Sequence, residues 1–236
     1  MNELTLEICL SPELLHLYNL EGKTAVVVDV LRATSCIVAG LACGIASITP
    51  VASLEEARVL MAAGYIGAGE REGKQVEGFP LGNSPFSYMQ PCLKGKKVVT
   101  TTTNGTQAIQ RSLAASEIVI GAFLNLSAVA TYLLQRSRSA VVICAGWRGK
   151  VNLEDTLLAG ALAHKLENFF TWKDDSVLAA KALYAHMRAD LHEHLKSSSH
   201  YQRLAHLGAQ QDLHFCLEID RFHVVPILAN GEIILA

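Results

Sequence analysis

Short apolar runs alternate with amphipathic segments along the first two-thirds of the chain. β-branched runs of the kind found in buried strands predict strands at 24–30, 47–51, 97–102, 117–121 and 140–145. Helical spacing of the apolar residues predicts helices at 33–43, 105–113 and 126–136. A further helix begins at the Ser53–Glu56 capping box and ends before Gly64. This alternation predicts an α/β fold, a three-layer arrangement around a largely parallel sheet.

Two regions depart from the alternation. Residues 67–85 are rich in glycine and charge and have no period, which predicts a long ordered loop ending at a helix N-cap, Ser84–Pro85. The sequence from residue 154 onward predicts helices at 154–169, 176–195 and after 197, then strands at 224–228 and 232–235 around the turn Asn230–Gly231. We expect a single domain over residues 1–236 with a helical C-terminal third. Two α/β lobes with the site between them are the alternative.

Composition narrows the classes of protein. The 236 residues are 50% hydrophobic with a net charge of -2, so neither a disordered chain nor the basic stripe of a nucleic-acid-binding protein is expected. No apolar run reaches the roughly 18 residues that span a bilayer, and the acidic N-terminus lacks the basic start of a signal peptide, which predicts a cytoplasmic protein. The six cysteines form no Cys-x-x-Cys pair, and the nine histidines lack zinc-site spacing. The apolar composition is compatible with a homodimer.

Ligands of parallel α/β sheets gather at the carboxyl ends of the strands, and polar residues follow several of the predicted strands. After the first come Asp29 and Arg32. An acid in this place can hold Mg²⁺ or attack phosphorus, and an arginine can clamp a phosphate or carboxylate with two hydrogen bonds. A helix N-cap with a partnered arginine explains the same residues equally well.

The glycine-rich segment carries Glu70 and Arg71 and continues to Asn83 and Ser84. Its glycines do not form the dinucleotide-binding pattern GxGxxG, because Glu72 stands in the last position. A solvated charged loop is the simpler interpretation.

Four threonines end a later predicted strand, and Asn104–Gly105 then turns the chain into a helix. Hydroxyl and N–H groups at such a turn can bind an anion, although an ordinary capped turn uses the same residues. Cys144 stands at the end of the strand at 140–145, and Arg148 follows that strand. A Cys-dependent phosphatase would need the arginine six residues after the cysteine, where Lys150 stands, so that mechanism is excluded.

A helix begins near Glu154 and Asp155. Acids in a first helical turn interact favourably with the helix dipole. The same two side chains can instead contribute oxygen ligands to a metal ion.

Taken together, these segments resemble the 2-phosphosulfolactate phosphatase family. The motifs are VVVDVLRAT at 26–34, GERxG at 69–73, GFPLGNSP at 78–85, TTTNGT at 101–106 and CAGxxG followed by ED at 144–155. They occur in the family's order and at similar separations, and the resemblance covers residues 4–235. One departure is Pro80, where the family often has an acid.

The resemblance implies an α/β phosphatase that uses Mg²⁺ to hydrolyse 2-phosphosulfolactate to 3-sulfolactate and phosphate, a reaction of coenzyme M biosynthesis. It implies catalytic roles for Asp29, Arg32 and Asn104. It implies substrate binding by Arg71, Asn83, Ser84, Thr103, Gly105, Thr106 and Arg148, with Lys150 as a further cation, and metal binding by Asp29, Glu70, Glu154 and Asp155. Either water or Asp29 attacks the phosphorus. The alternatives are a phosphatase for another small phosphorylated acid and a non-catalytic binder of a phosphorylated metabolite.

Overall fold

The computed structural model describes residues 3–172 and 174–236. Within these residues, the strands are β1 (Leu6–Cys9), β2 (Thr24–Val28), β3 (Ser47–Pro50), β4 (Ile66–Arg71), β5 (Lys74–Gln75), β6 (Lys97–Thr101), β7 (Glu117–Gly121), β8 (Ala140–Cys144), β9 (Pro226–Ala229) and β10 (Glu232–Leu235). The helices are α1 (Ala33–Ala42), α2 (Leu54–Ala62), α3 (Pro85–Tyr88), α4 (Gly105–Arg111), α5 (Leu126–Arg136), α6 (Leu153–Leu166), α7 (Asp175–Met187), α8 (Leu191–Leu195), α9 (Ser199–His206) and α10 (Gln210–Cys216). The predicted α/β fold with a helical C-terminal third is confirmed.

Apolar side chains cover both faces of the sheet. Val26 and Val28 of β2 pack on one face, in a buried cluster with residues of α5, α6 and α7. Ala25 and Val27 of the same strand pack on the other face, with residues of α1 and α4. Because successive side chains of a strand point to opposite faces, a continuous apolar run such as β2 is buried on both sides. The three-layer arrangement follows from that pattern.

The sheet consists of two parallel blocks joined by a hairpin. Block A has the order β1-β8-β2-β7, and block B has the order β3-β6-β4. The hairpin β9–β10 lies between them and pairs antiparallel with both blocks, through Val119–Ile227 on one side and Ile233–Ile48 on the other. Three successive antiparallel pairings therefore separate the blocks, so their strands run in opposite directions.

The carboxyl ends of the two blocks nevertheless meet. In a flat sheet they would lie at opposite edges. Yet Nη2 of Arg32, which follows β2, donates to the carbonyl oxygen of Gly73, which follows β4, at 3.1 Å. A Cβ on Gly105, which follows β6, would lie 2.7 Å from Cβ of Ala33. The sheet must twist and curl between the blocks to bring these ends together.

The prediction of a long ordered loop at 67–85 is wrong for its first part, which contains β4 and β5. The glycines there are needed because side chains lie against the strand: a Cβ on Gly67 would be 2.3 Å from Sδ of Met61. Glu72 and Gly73 have φ angles of 56° and 84°, and they form the two-residue turn between the strands. Glycine therefore marks a closely packed strand and its hairpin turn rather than a loop.

The prediction of one helix over 176–195 is also wrong, because the helix is interrupted between α7 and α8. Asp190 starts the second helix, and its carboxylate accepts the N–H of Glu193 at 2.9 Å. The hairpin at Asn230–Gly231 is confirmed, with φ angles of 51° and 82° in the turn. None of the helices in the described parts of the chain is both long and apolar enough to cross a bilayer.

Candidate active site

A small polar cavity lies where the carboxyl ends of the two blocks meet. Its volume is about 20 Å³, roughly the space of one water molecule. The polar and charged residues that line it are Asp29, Arg32, Glu70, Asn83, Asn104, Trp147, His200 and Arg203. We call this the strand-end cavity. A ligand larger than water enters it only if part of the wall moves.

Asp29 stands directly after β2 and lines the cavity. Its Oδ1 accepts the N–H of Ala33 at 3.4 Å, so the start of α1 holds the carboxylate in place. Burial raises the pKa of Asp29 to about 6, opposed by His200 and reinforced by Glu70. The side chain is 6% exposed. Asp29 is thus a buried carboxylate that exchanges its proton close to neutral pH.

Glu70 links the ends of two strands of block B. Its carboxylate accepts the N–H of Gly73 in the β4–β5 turn, and it accepts the N–H of Thr103, after β6, at 3.2 Å. The hydroxyl of Thr103 also donates to Glu70, at 3.3 Å. Neighbouring Arg71 turns away from the cavity, since it donates to Thr101 Oγ1 at 3.0 Å and to the carbonyl oxygen of Glu70 at 2.6 Å. The side chains of Glu70 and Arg71 therefore have different surroundings, although the two residues are adjacent in sequence.

Arg32 is held by an acid from the C-terminal helices. Its Nη1 forms a buried ion pair with Oδ2 of Asp212 in α10. The other oxygen of Asp212 accepts the hydroxyl of Ser84 at 2.8 Å. Ser84 is the N-cap residue of α3 with Pro85 after it, as predicted, but its hydroxyl makes no capping hydrogen bond. Nε of Arg32 is buried without a hydrogen-bond partner.

Glu154 and His200 form a buried pair beside Asp29. Nδ1 of His200 lies 2.5 Å from Oε1 of Glu154 and 3.3 Å from Nδ2 of Asn152. The Nδ1 edge of the ring is therefore engaged, which leaves Nε2 on the other edge of a side chain that lines the cavity. Oε2 of Glu154 is buried without a hydrogen-bond partner.

Asp155 binds backbone groups with both carboxylate oxygens. Oδ1 accepts the N–H of Val30 at 2.9 Å, and Oδ2 accepts the N–H of Gly146 at 3.0 Å. Burial raises the pKa of Asp155, and Glu154 and Asp29 raise it further, while the two N–H groups oppose the rise. The residue ties the end of β2 to the loop after β8. Burial also raises the pKa of the adjacent Cys144 thiol, which does not favour a thiolate.

The turn after β6 approaches Asp29 closely. A Cβ on Gly105 would lie 2.8 Å from Oδ2 of Asp29, so glycine is required there. Oδ1 of Asn104 accepts the N–H of Arg148 at 3.1 Å, which leaves its Nδ2 group as a donor. Thr106 serves the turn itself, because its hydroxyl donates to the carbonyl oxygen of Thr102 at 2.9 Å.

The loop after β8 forms the mouth of the site. Arg148 and Gly149 have φ angles of 49° and 76° in a two-residue turn between Trp147 and Lys150. The Arg148 guanidinium forms an exposed ion pair with Glu72 in the β4–β5 turn. The guanidinium of Arg203 in α9 lies over the Trp147 ring, 3.8 Å from its centroid.

Five of the predicted site residues line the strand-end cavity: Asp29, Arg32, Glu70, Asn83 and Asn104. Thr103 and Arg148 border an adjoining groove of about 190 Å³ that shares Asn104 with the cavity. The remaining predicted residues lie around these walls without lining the cavity: Arg71, Ser84, Gly105, Thr106, Glu154 and Asp155.

Sequence reasoning missed His200, Arg203, Asp212 and Trp147. The positions 200, 203 and 204 share one face of α9, but that spacing indicates only a helix face. His200 is buried, with 8% of the residue exposed. No sequence signal connects these helices to the strand ends.

These features define a candidate enzyme site of an α/β protein, in which carboxylates and arginines surround a small polar cavity. The chain matches the model of the 2-phosphosulpholactate phosphatase family over residues 9–231. A probable 2-phosphosulfolactate phosphatase from Thermotoga petrophila is 43% identical over 215 residues, which cover 91% of this chain and 93% of the relative. One from Caldanaerobacter subterraneus is 40% identical over 218 residues and 90% of each chain. One from Clostridium tetani is 35% identical over 234 residues, 98% of this chain and all of the relative.

The chain belongs to the 2-phosphosulfolactate phosphatase family, as its motifs predict, and is a phosphoric monoester hydrolase.

Proposed function

We propose that the protein hydrolyses 2-phosphosulfolactate to 3-sulfolactate and inorganic phosphate with Mg²⁺ as cofactor. Family membership supports the reaction. The observation that carries the proposal is the convergence of Asp29, Glu70, Arg32 and Asn104 on one buried cavity from both blocks of the sheet. A phosphoryl group needs oxygen ligands for its metal and donors for its own oxygens, and these four residues supply both kinds.

The oxygen atoms around the cavity fit Mg²⁺. Asp29 and Glu70 are carboxylates, and Oδ1 of Asn83 is buried without a hydrogen-bond partner. In the described part of the chain, no three His, Cys, Asp or Glu side chains form a ready metal cluster. Mg²⁺ is commonly held by one or two carboxylates together with substrate phosphate and water, so two are enough. When bound, Mg²⁺ would neutralise charge on the phosphoryl oxygens.

The chain's own residues bind and orient the ester. Arg32 donates hydrogen bonds to the phosphoryl oxygens, and Asp212 keeps its guanidinium at the cavity. Asn104 adds a donor through Nδ2, since Arg148 engages its Oδ1. Asp155 fixes the end of β2 through the N–H of Val30, and so positions Asp29.

Hydrolysis breaks the bond between phosphorus and the ester oxygen, and the bond to the nucleophile forms in line with it. The nucleophile is either water or Asp29, whose aspartyl-phosphate water would then hydrolyse. In both routes the departing ester oxygen takes up a proton. His200 is the donor that we assign, because Glu154 engages its Nδ1 and leaves Nε2 for the cavity.

The setting of the reaction belongs to the same proposal. Hydrolysis of 2-phosphosulfolactate fits coenzyme M biosynthesis. All six cysteines are free thiols, which is typical of a reducing compartment and supports a cytoplasmic location. Assembly as a homodimer and the lack of a nucleic-acid partner stay predictions.

The test is phosphate release by the purified protein from racemic 2-phosphosulfolactate, with excess Mg²⁺ and with EDTA. We expect release that EDTA abolishes and added Mg²⁺ restores. If metal-dependent release occurred only with another ester of a parallel panel, the proposed substrate would be wrong, but the assignment as a phosphatase would stand. Binding without release of phosphate from any ester would replace the enzyme with a binding protein.

A further inference from the structure

Arg203 lines the cavity and, within the residues that the structure describes, makes no salt bridge. Of the two arginines that line the cavity, Arg32 is paired with Asp212. Arg203 forms no ion pair with a carboxylate in residues 3–172 and 174–236. A guanidinium at a cavity with no acidic partner is suited to receive an anion.

The position of Arg203 is set by an aromatic ring. Its guanidinium stacks on the ring of Trp147 in the loop after β8. The guanidinium of Arg148, in the same loop, lies 4.8 Å from the centroid of that ring. A stacked guanidinium keeps its in-plane N–H groups free for hydrogen bonds. Burial lowers the pKa of Arg203, the charge of Glu154 opposes that fall, and the nearby Arg148 adds to it.

We infer that Arg203 binds the second anionic group of the substrate, the carboxylate or sulfonate, and so determines the specificity for phosphorylated acids over simple phosphate esters. The inference rests on the proposed function and deepens it. Asp29, Glu70 and Arg32 lie on the strand-end side of the cavity, where the phosphoryl group belongs, whereas Arg203 comes from α9. Once the cavity has widened to admit it, an ester with a phosphate and a second charged group can therefore contact both walls.

A structural role is the competing explanation, since the stack on Trp147 also attaches α9 to block A. A structural role would lower the turnover of every ester alike. A specificity role changes only the ratio between esters that carry the second anion and esters that lack it.

The experiment compares wild type with Arg203→Gln and Arg203→Lys on four esters. These are 2-phosphosulfolactate, 2-phospholactate with the carboxylate alone, O-phosphoisethionate with the sulfonate alone, and ethyl phosphate with neither. For Arg203→Gln we expect kcat/KM to fall on the order of 10- to 100-fold on 2-phosphosulfolactate and less than about 3-fold on ethyl phosphate. Arg203→Lys keeps the positive charge but loses the paired N–H donors of the guanidinium, so its kcat/KM on 2-phosphosulfolactate should lie between those of wild type and Arg203→Gln. The single-anion ester that shares the loss identifies the group that Arg203 binds.

The matched control is Arg221→Gln. Arg221 also lies over an aromatic ring, 5.0 Å from the centroid of Phe215, and pairs with exposed Glu218, but it does not line the cavity. We expect no change in the ratio for this variant. An equal loss on all four esters with Arg203→Gln, or no loss at all, would overturn the inference.

A binding measurement separates this inference from the proposed function. Calorimetry with 3-sulfolactate, which has no phosphate, should show binding to wild type that weakens on the order of 10-fold or more in Arg203→Gln. If no ester is hydrolysed but this difference holds, the proposed reaction fails and the anion site stands. If 3-sulfolactate binds both proteins equally or neither, the anion site fails whatever the activity.

Discussion

The two walls of the strand-end cavity hold their side chains in different ways. On the strand-end wall, backbone groups position the acids: the N–H of Ala33 binds Asp29, and the N–H of Gly73 binds Glu70. On the helical wall, side chains hold side chains, as in the buried pair of His200 with Glu154. The first wall forms as soon as the strands and turns form. The second exists only once the C-terminal helices have docked.

This difference indicates which part of the site is rigid. Backbone hydrogen bonds of a buried sheet edge open only with large-scale unfolding, whereas the docking of short surface helices is a smaller event. A cavity with room for about one water molecule must widen to admit a substrate. We expect the helical wall, with α9, to move for that entry. Substitutions on the two walls should therefore differ in their effects on turnover and stability.

Asp29→Asn should have the largest effect, and it acts on the strand-end wall. As nucleophile or metal ligand, Asp29 is needed as a carboxylate, so we expect turnover to fall by at least about 10³-fold. Rates of phosphate release with saturating Mg²⁺ measure this. A variant that kept full turnover would remove both roles from Asp29.

The same variant should be more stable than wild type in metal-free buffer at pH 7.5. The pKa of Asp29 in the folded protein is about 6, against an ordinary value of 3.8, so the folded protein binds the proton more tightly. Stability then falls as pH rises from about 4 to 6 and stays lower above it. Ionised Asp29 lowers the free energy of unfolding by on the order of 1–3 kcal/mol, and the Asp29→Asn variant does not have this loss. Urea melts at pH 4.5 and 7.5 should show a clearly larger gain at the higher pH.

His200→Asn should have the next largest effect, and it tests the helical wall. If His200 protonates the departing oxygen, kcat on an alkyl phosphate should fall about 10²- to 10³-fold. The loss on p-nitrophenyl phosphate should be at most about 10-fold, because that leaving group needs no proton. His206→Asn, an exposed position on the same helix, is the control. Equal losses on both esters would contradict the assignment.

Asp212→Asn should mainly reduce stability, because it leaves the buried guanidinium of Arg32 without its counter-charge. Removing one partner of a buried pair costs about 3–5 kcal/mol, and the remaining amide oxygen offsets part of that. We expect a loss of about 2–4 kcal/mol in the free energy of unfolding. The control, Glu218→Gln, breaks an exposed pair with Arg221 and should cost under about 1 kcal/mol. Similar losses in both variants would show that burial of the pair is unimportant.

Glu72→Gln should have the smallest effect. Its ion pair with Arg148 connects the turns of the two blocks at the mouth, but the side chains are 70% and 55% exposed. Such pairs contribute about 0–1 kcal/mol and are screened by salt. We expect turnover within about 2-fold of wild type, checked at low and high salt. A larger change at low salt alone would show that the pair restrains the mouth.

The sequence supports the strand-end wall better than the helical wall. Asp29 follows an apolar run and Asn104 follows a β-branched one, and the rule that ligands gather at strand ends makes both residues candidates. Glu70 is a candidate through its motif, although its surroundings are a strand and hairpin rather than a loop. The error arose because glycine serves both loops and closely packed strands, and only contacts such as Gly67 against Met61 distinguish them.

The helical wall has no comparable signal. Asp212 and Arg32 are 180 residues apart, and His200 and Glu154 are 46 apart. Arg32 and Glu154 are candidates from the sequence, but Asp212 and His200 are ordinary polar residues in their helices. Their pairing depends on where α9 and α10 dock, which no local spacing encodes.

By itself, the sequence determined the α/β class, the two-sided burial of the central strands, the turn at Asn230–Gly231 and the family. These depend on local periodicity, turn chemistry and motif order, which are properties of neighbouring residues. Tertiary structure alone decided that two blocks running in opposite directions share one cavity, and that Arg203 and His200 complete it. The physical reason is that strand direction and helix docking are set by contacts between distant segments, whose free energy is gained only when the whole sheet and its covering helices are packed.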